Sequence, residues 1–411
     1  MTTEPAPNAP ETLRAAMVAA LREDGTIRTA RIAEVMGRVP RERFTPEAQP
    51  ADAYDPERAV VTKRDKGGLA ISSVSAARIQ AFMLEQAGPR PGENVLEIGS
   101  GGMFAAYLAE LVAPDGAVTT MDIDPEITGR ARRLLNFAGY EHVRVITADG
   151  AFGVPERAPF DLVVVTVGAP DVPPAWVEQL APGGRIVVPL RLRGLMRSVV
   201  LVREDDHLVS TGYELCGFVP MQGLEENRER LVLLHEVPGE EVGLRLDDGD
   251  QVDVEALRAA LASPRQEVWS GVTVGGEEPI DDLDLWLATA LVGHTRLTAT
   301  PAARDKGIVA SASPLGVATV VVGGTLAYRT VRPTDETRAR FELGAYGHGP
   351  AAAAIAAHLV REIRVWDQEH RSGPGARFEV HPAGTPDDRL PAGRVVDKTH
   401  TRIAISWPGK P

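Results

Sequence analysis

The chain has 411 residues, 44% of them hydrophobic and spread along its whole length, which exceeds one ordinary core and predicts two domains. Its 57 acidic against 44 basic residues leave a formal charge of -13, and no Lys/Arg-rich run or stacking-aromatic stripe offsets it, so nucleic acid is not an expected partner. The single cysteine, Cys216, excludes an internal disulfide and fits a reducing cytoplasm, while the lack of any apolar run of about 18–20 residues excludes a spanning helix and a membrane partner.

Residues 1–10 hold three prolines and no apolar periodicity, and predict a disordered tail. Leu13, Met17 and Leu21, then Ile32, Val35 and Met36, recur at helical spacing and predict a small helical cap. Residues 45–75 are rich in turn formers, and Lys66 to Ser73 reads as a loop able to approach a ligand closely, so residues 11–75 form a cap with a substrate loop. Residues 76–215 alternate between strand and helix. Short apolar runs at 94–98, 117–122, 143–147, 160–167 and 185–189 predict a parallel, doubly wound sheet. Two β-rich segments at 198–202 and 207–213, separated by a short polar turn, should pair antiparallel.

Residues 216–411 have another texture and are expected to be a separate α+β domain. Leu283, Trp286, Leu287, Ala290 and Leu291 share one helical face, with Asp281 or Asp282 as its cap. Strands are predicted at 317–322 and 326–331 around the Gly323-Gly324 turn, a helix at 351–366, and strands at 377–381 and 402–407. The nine histidines lack the spacing of a metal site, so no metal is expected.

Chemistry concentrates at the ends of the predicted parallel strands. In Leu96-Glu97-Ile98-Gly99-Ser100-Gly101-Gly102 the glycines let the backbone pass under a nucleoside, and the following helix N-terminus offers free N–H groups. Asp122 ends the second strand, where a carboxylate can accept from ribose hydroxyls; Asp124 competes for that role or caps the next helix. Asp149-Gly150 follows the third strand, within reach of an adenine amino group, and Thr166 follows the fourth as pocket floor. A dinucleotide is the rival ligand, but Phe104 stands where its phosphate turn would need the last glycine, which favours a methyl donor.

Arg38-Val39-Pro40-Arg41-Glu42-Arg43-Phe44-Thr45-Pro46 resembles the V-P-R-x-x-F-V-P motif of protein-L-isoaspartyl O-methyltransferases. Residues 66–75 resemble that family's acceptor loop, 95–112 its nucleoside motif, and 148–190 its following segments. The resemblance implies the class I methyltransferase fold, with a mostly parallel seven-stranded sheet, and S-adenosyl-L-methionine as donor, leaving S-adenosyl-L-homocysteine. It also implies Ser72 as the hydroxyl between donor and acceptor carboxylate, with Ile71, Glu97, Gly99, Ser100, Gly101, Asp122, Asp149, Gly150 and Thr166 around the donor. Leu69, Ala70 and Val74 stand where the family loop has Gln, Thr and Pro, and Met103 where the donor motif has Gly.

The segments 176–185, 216–223, 269–275, 283–288 and 403–408 are similar to members of the group encoded beside ribosomally made peptides, the FxLD-system and lanthipeptide-associated methyltransferases. That closer resemblance implies methylation of an aspartate in a modified ribosomal peptide, followed by aspartimide and isoaspartate, with the C-terminal domain holding the peptide. Repair of isoaspartyl residues in damaged proteins is the alternative expectation. A carboxylate is already ionised at neutral pH, so no general base is expected. Nothing in the sequence fixes an oligomeric state.

Overall fold

The computed structural model describes residues 8–68, 70–224, 226, 229–247, 249–310 and 316–410. Of the predicted tail, residues 1–7 lie outside the described residues, as does Leu69 of the acceptor loop. The first helix, Pro10–Glu23, starts one residue before Glu11 and places proline in its first turn, where a missing N–H costs nothing.

The cap packs through its apolar faces. Met17, Leu21, Ile32, Val35 and Met36 of helices Pro10–Glu23 and Ala30–Arg38 share one buried cluster with Phe104, Tyr107, Leu108 and Leu111 of helix Met103–Val112. Arg41 locks this cap to the acceptor side. Fully buried, its guanidinium donates to the carbonyls of Ala53 and Ser75, each at 2.6 Å, and to the side-chain oxygen of Gln80.

The parallel strands Arg144–Thr147, Ala117–Asp122, Asn94–Ile98, Phe160–Val165 and Leu180–Leu192 lie side by side in that order. Their near-continuous Val, Ile and Leu runs fit a sheet covered on both faces. Leu195–Glu204 and His207–Leu215 then add antiparallel, as their short turns dictate. The strand Asn94–Ile98 comes first in this sheet, and its neighbours Ala117–Asp122 and Phe160–Val165 both follow it in sequence on opposite sides, so the order reverses between it and Phe160–Val165. Such a reversal opens a crevice beyond the carboxyl ends of the two strands.

Two expectations are corrected here. The acceptor segment is not a loop, for Ala70–Val74 pairs antiparallel with Val60–Arg64, and Ser72 sits on a strand. The chain beyond 215 is not one separate domain. Arg377–Pro382 pairs with His207–Leu215, and Thr401–Ser406 and Arg394–Asp397 follow outward, so the expected seven-stranded sheet is ten-stranded. The apolar alternation of Phe378, Val380, Ile403 and Ile405 supplies the reason, since all four are buried with Val199, Leu201 and Leu208.

Between these parts the chain forms a seven-stranded antiparallel sheet in the order Arg230–His235, Val242–Leu246, His294–Ala299, Val317–Val322, Thr325–Pro333, Arg340–His348, Gln266–Gly275. Helix Asp281–Ala290 joins the two bodies. Its Leu283, Leu287 and the following Leu291 enter the second sheet's core, while Leu285 and Ala288 enter the first sheet's core. Its N-cap is Ile280 rather than an aspartate; Asp282 instead accepts from the Tyr213 hydroxyl at 2.8 Å.

Candidate active site

The crevice at the strand reversal is a cavity of about 530 Å³, walled by Ile71 to Ser75, by Glu97, Gly99, Ser100 and Gly101, and by Asp122, Thr166 and Phe218. A second cavity of about 390 Å³ shares Ile71, Gly99 and Asp122 with it and adds Gly150, Met221 and Gln222. One side is thus made of small hydroxyls and the other of two carboxylates. That division suits an acceptor and a donor meeting across one wall.

Glu97 is fully buried at the end of its strand. One carboxylate oxygen accepts from Thr120 at 2.6 Å, while the other has no hydrogen-bond partner. Burial, with Asp122 adding to it, pushes this carboxyl up to about 8. Such an orphaned acceptor fits the ammonium group of an amino-acid ligand. Asp122 accepts from the Ser100 and Asp124 amides at 3.2 and 2.9 Å, and burial raises it as well.

The glycine turn is held close. Gly99 has φ +105°, and a Cβ there would lie 2.7 Å from the Thr166 hydroxyl, which donates to the Gly99 carbonyl at 2.6 Å. Only glycine fits that position. Ser100 Oγ is buried without a partner, a second polar atom left for a ligand.

On the acceptor side, the strand register slips at Thr62, and its hydroxyl meets Ser72 Oγ at 2.8 Å. A bulge re-aims a side chain in this way. Gln80, fixed by Arg41, and Ser75 complete that wall.

Of the residues expected from the sequence, Ile71, Ser72, Glu97, Gly99, Ser100, Gly101, Asp122 and Thr166 meet around the first cavity, and Gly150 around the second. Asp149 does not reach either wall. Its carboxylate caps Ala151 at 2.9 Å and accepts from Leu224 at 2.8 Å, with Gly223 packed so closely that a Cβ there would lie 2.4 Å from it. Asp124 takes the capping role, accepting from Glu126 at 2.9 Å and pairing with Lys63 at 2.6 Å.

The segment Phe218 to Leu224 falls within the 216–411 stretch expected to form a separate domain. It instead straps the crevice: Gly168 donates to Val219 at 2.8 Å and Met221 donates back to Gly168 at 2.9 Å. Its low periodicity hid this role. Burial pushes the Cys216 thiol up to about 12, which leaves little thiolate at neutral pH.

The sequence model of the protein-L-isoaspartate(D-aspartate) O-methyltransferases (PCMT) matches residues 12–226, a span that includes the strap. The chain belongs to this family. It is therefore an S-adenosylmethionine-dependent carboxyl methyltransferase with a class I fold. It is 39% identical over 219 residues to the protein-L-isoaspartate O-methyltransferase of Methanopyrus kandleri, covering 53% of this chain and 94% of that one. Its similarity to the Hyperthermus butylicus protein of the same name is 38% over 220 residues, or 51% and 88% of the two chains. A solved structure named protein-L-isoaspartate O-methyltransferase superposes with a TM-score of 0.50 and 20% identity, covering 96% of this chain and 99% of that one. That likeness covers both bodies, so the fold of the whole chain is shared with that structure.

Proposed function

We propose that this methyltransferase esterifies the free carboxylate of isoaspartyl residues in polypeptides, and that the residues around the shared cavity bind donor and acceptor. The observation that carries the reading is the meeting of Ser72 with Glu97 and Asp122 around one cavity. The family model that matches 12–226 and the relatives of 38–39% identity bear the isoaspartate name and support it.

The donor supplies a sulfonium-bound methyl that needs no further activation. Asp122 holds the ribose hydroxyls, Glu97 the donor ammonium, and the backbone at Gly99 to Gly101 lets the donor lie close. Ser72 hydrogen-bonds one acceptor oxygen while the other attacks the methyl carbon and the carbon–sulfur bond breaks, giving a methyl ester and S-adenosylhomocysteine. Alignment and exclusion of water do the catalytic work, since the acceptor is ionised at neutral pH.

Ala70 and Val74 in the acceptor strand favour a second reading, because they replace the family's Thr and Pro beside Ser72. In that reading the substrate is an aspartate within a lanthipeptide-like ribosomal peptide, which the second body helps to hold. Two peptides differing only in aspartate against isoaspartate separate the readings. Methyl transfer to the isoaspartyl form is expected. Transfer to the aspartyl form alone, with one methyl gained and methanol then lost, would replace the first reading with the second.

A further inference from the structure

The seam where the returning C-terminal strand meets the methyltransferase sheet carries a cluster that the methyl transfer does not use. Glu379 pairs with Val209 and Val380 with Leu208, and the same register sets His381 opposite His207. Glu379 and His381 lie two apart on one strand and so project to the same face. The two imidazoles stack with centroids 4.5 Å apart and planes at 8°. One Glu379 oxygen lies 3.6 Å from His207 Nε2 and 3.5 Å from His381 Nε2. All three donor atoms fall within 4.8 Å of one another.

His381 is only 6% exposed, and its Nε2 is buried with no hydrogen-bond partner. The outer atoms of the cluster are already held. Arg377 contacts the second Glu379 oxygen at 3.2 Å, and Asp206 faces His207 Nδ1 at 3.5 Å. Carboxylates placed behind a histidine in this way orient it for a metal. The inner atoms face one another across gaps of 3.5 and 3.6 Å, a spacing that a shared cation would fill.

We propose that His207, Glu379 and His381 bind a divalent transition metal, with zinc the best match, and that this ion staples the C-terminal strand to the methyltransferase sheet. Two imidazoles and a carboxylate are a donor set of the right hardness for zinc. Tetrahedral bonds of about 2.0–2.1 Å put ligand atoms roughly 3.3 Å apart, close to the two nitrogen–oxygen separations here. The remaining position faces an opening lined by Asp206, Asp388, Arg389 and Pro391, where water can complete the shell. None of the three ligands lines the donor cavity.

The test uses full-length protein without a histidine tag, stripped with a chelator and titrated with Co²⁺ and then Zn²⁺. The expected result is a visible d–d absorption that saturates at one Co²⁺ per chain and is displaced by Zn²⁺. Zinc at a hundredfold excess over its Kd should also raise the Tm by about 3 °C or more. His207→Gln, at the partly buried edge, should abolish both responses while leaving the far-ultraviolet spectrum and donor binding unchanged; Glu379→Gln should weaken them. Absence of both responses at micromolar metal, or an equal response in His207→Gln, would overturn the proposal.

Discussion

Glu97 offers the sharpest residue-scale prediction. Its carboxyl, raised to about 8, is mostly protonated in the free protein at pH 7. An arriving donor ammonium favours the carboxylate, so binding should release close to one proton near neutral pH. Calorimetry in buffers of different ionisation enthalpy will read this release, and Glu97→Gln should remove it. The same group sets a sign for stability. A raised folded-state value means that its contribution is greatest below the unfolded value of about 4.5 and is lost as pH rises through 8. The unliganded wild type should therefore lose Tm relative to Glu97→Gln across that window, and a constant difference would show that Glu97 is charged throughout. For Ser72→Ala, loss of one acceptor hydrogen bond predicts a fall of about tenfold in kcat with near-normal donor Kd. An unchanged kcat would remove Ser72 from the reaction. The strand-end glycines and carboxylates were legible because turn chemistry is local, whereas Ser72, on a strand rather than the expected loop, was named only through the family resemblance. Asp149 lies off both cavity walls because the strap's Leu224 amide engages its carboxylate from 75 residues away, a contact that no local pattern announces.

Among elements, the parallel strands were readable because burial on both faces leaves runs such as Leu162 to Val165 with almost no polar interruption. The antiparallel sheet hid several of its strands. His294, Thr295 and Arg296 are all buried in one strand, and three polar residues in succession erase both periodicities. Asp284 makes this possible. Burial alone would raise its carboxyl, but Arg329 at 3.1 Å and Arg296 at 3.4 Å outweigh that and hold it below the usual range. Removing its charge takes the shared carboxylate away from two buried guanidinium groups, so Asp284→Asn should cost about 3–5 kcal/mol in denaturant unfolding. A cost below about 1 kcal/mol would mean that water already solvates the pair.

At the scale of the whole molecule, the return of residues 377–406 ties the chain's end to its catalytic sheet. No local pattern announces that pairing, because register between strands some 170 residues apart depends on which edge the intervening body leaves open. Phe378 is fully buried in the cluster that contains Val199 and Leu201. Phe378→Ala should therefore destabilise the methyltransferase body itself by about 3–5 kcal/mol. The midpoint measured by loss of donor binding should shift together with that measured by circular dichroism. A shift in the second signal alone would make the returning strands peripheral. Helix Asp281–Ala290, with side chains in both cores, gives the same coupling a second route.

The central claim is that one crevice brings a carboxylate to a methyl donor. Its most direct test is the base-labile methyl ester formed on an isoaspartyl peptide from labelled S-adenosylmethionine, read as released methanol, for the wild type and Asp122→Ala. Stoichiometric release is expected with the wild type, and loss of both release and donor binding in the variant. Equal release from the two proteins, or none from the wild type with either an isoaspartyl or an aspartyl peptide, would contradict it.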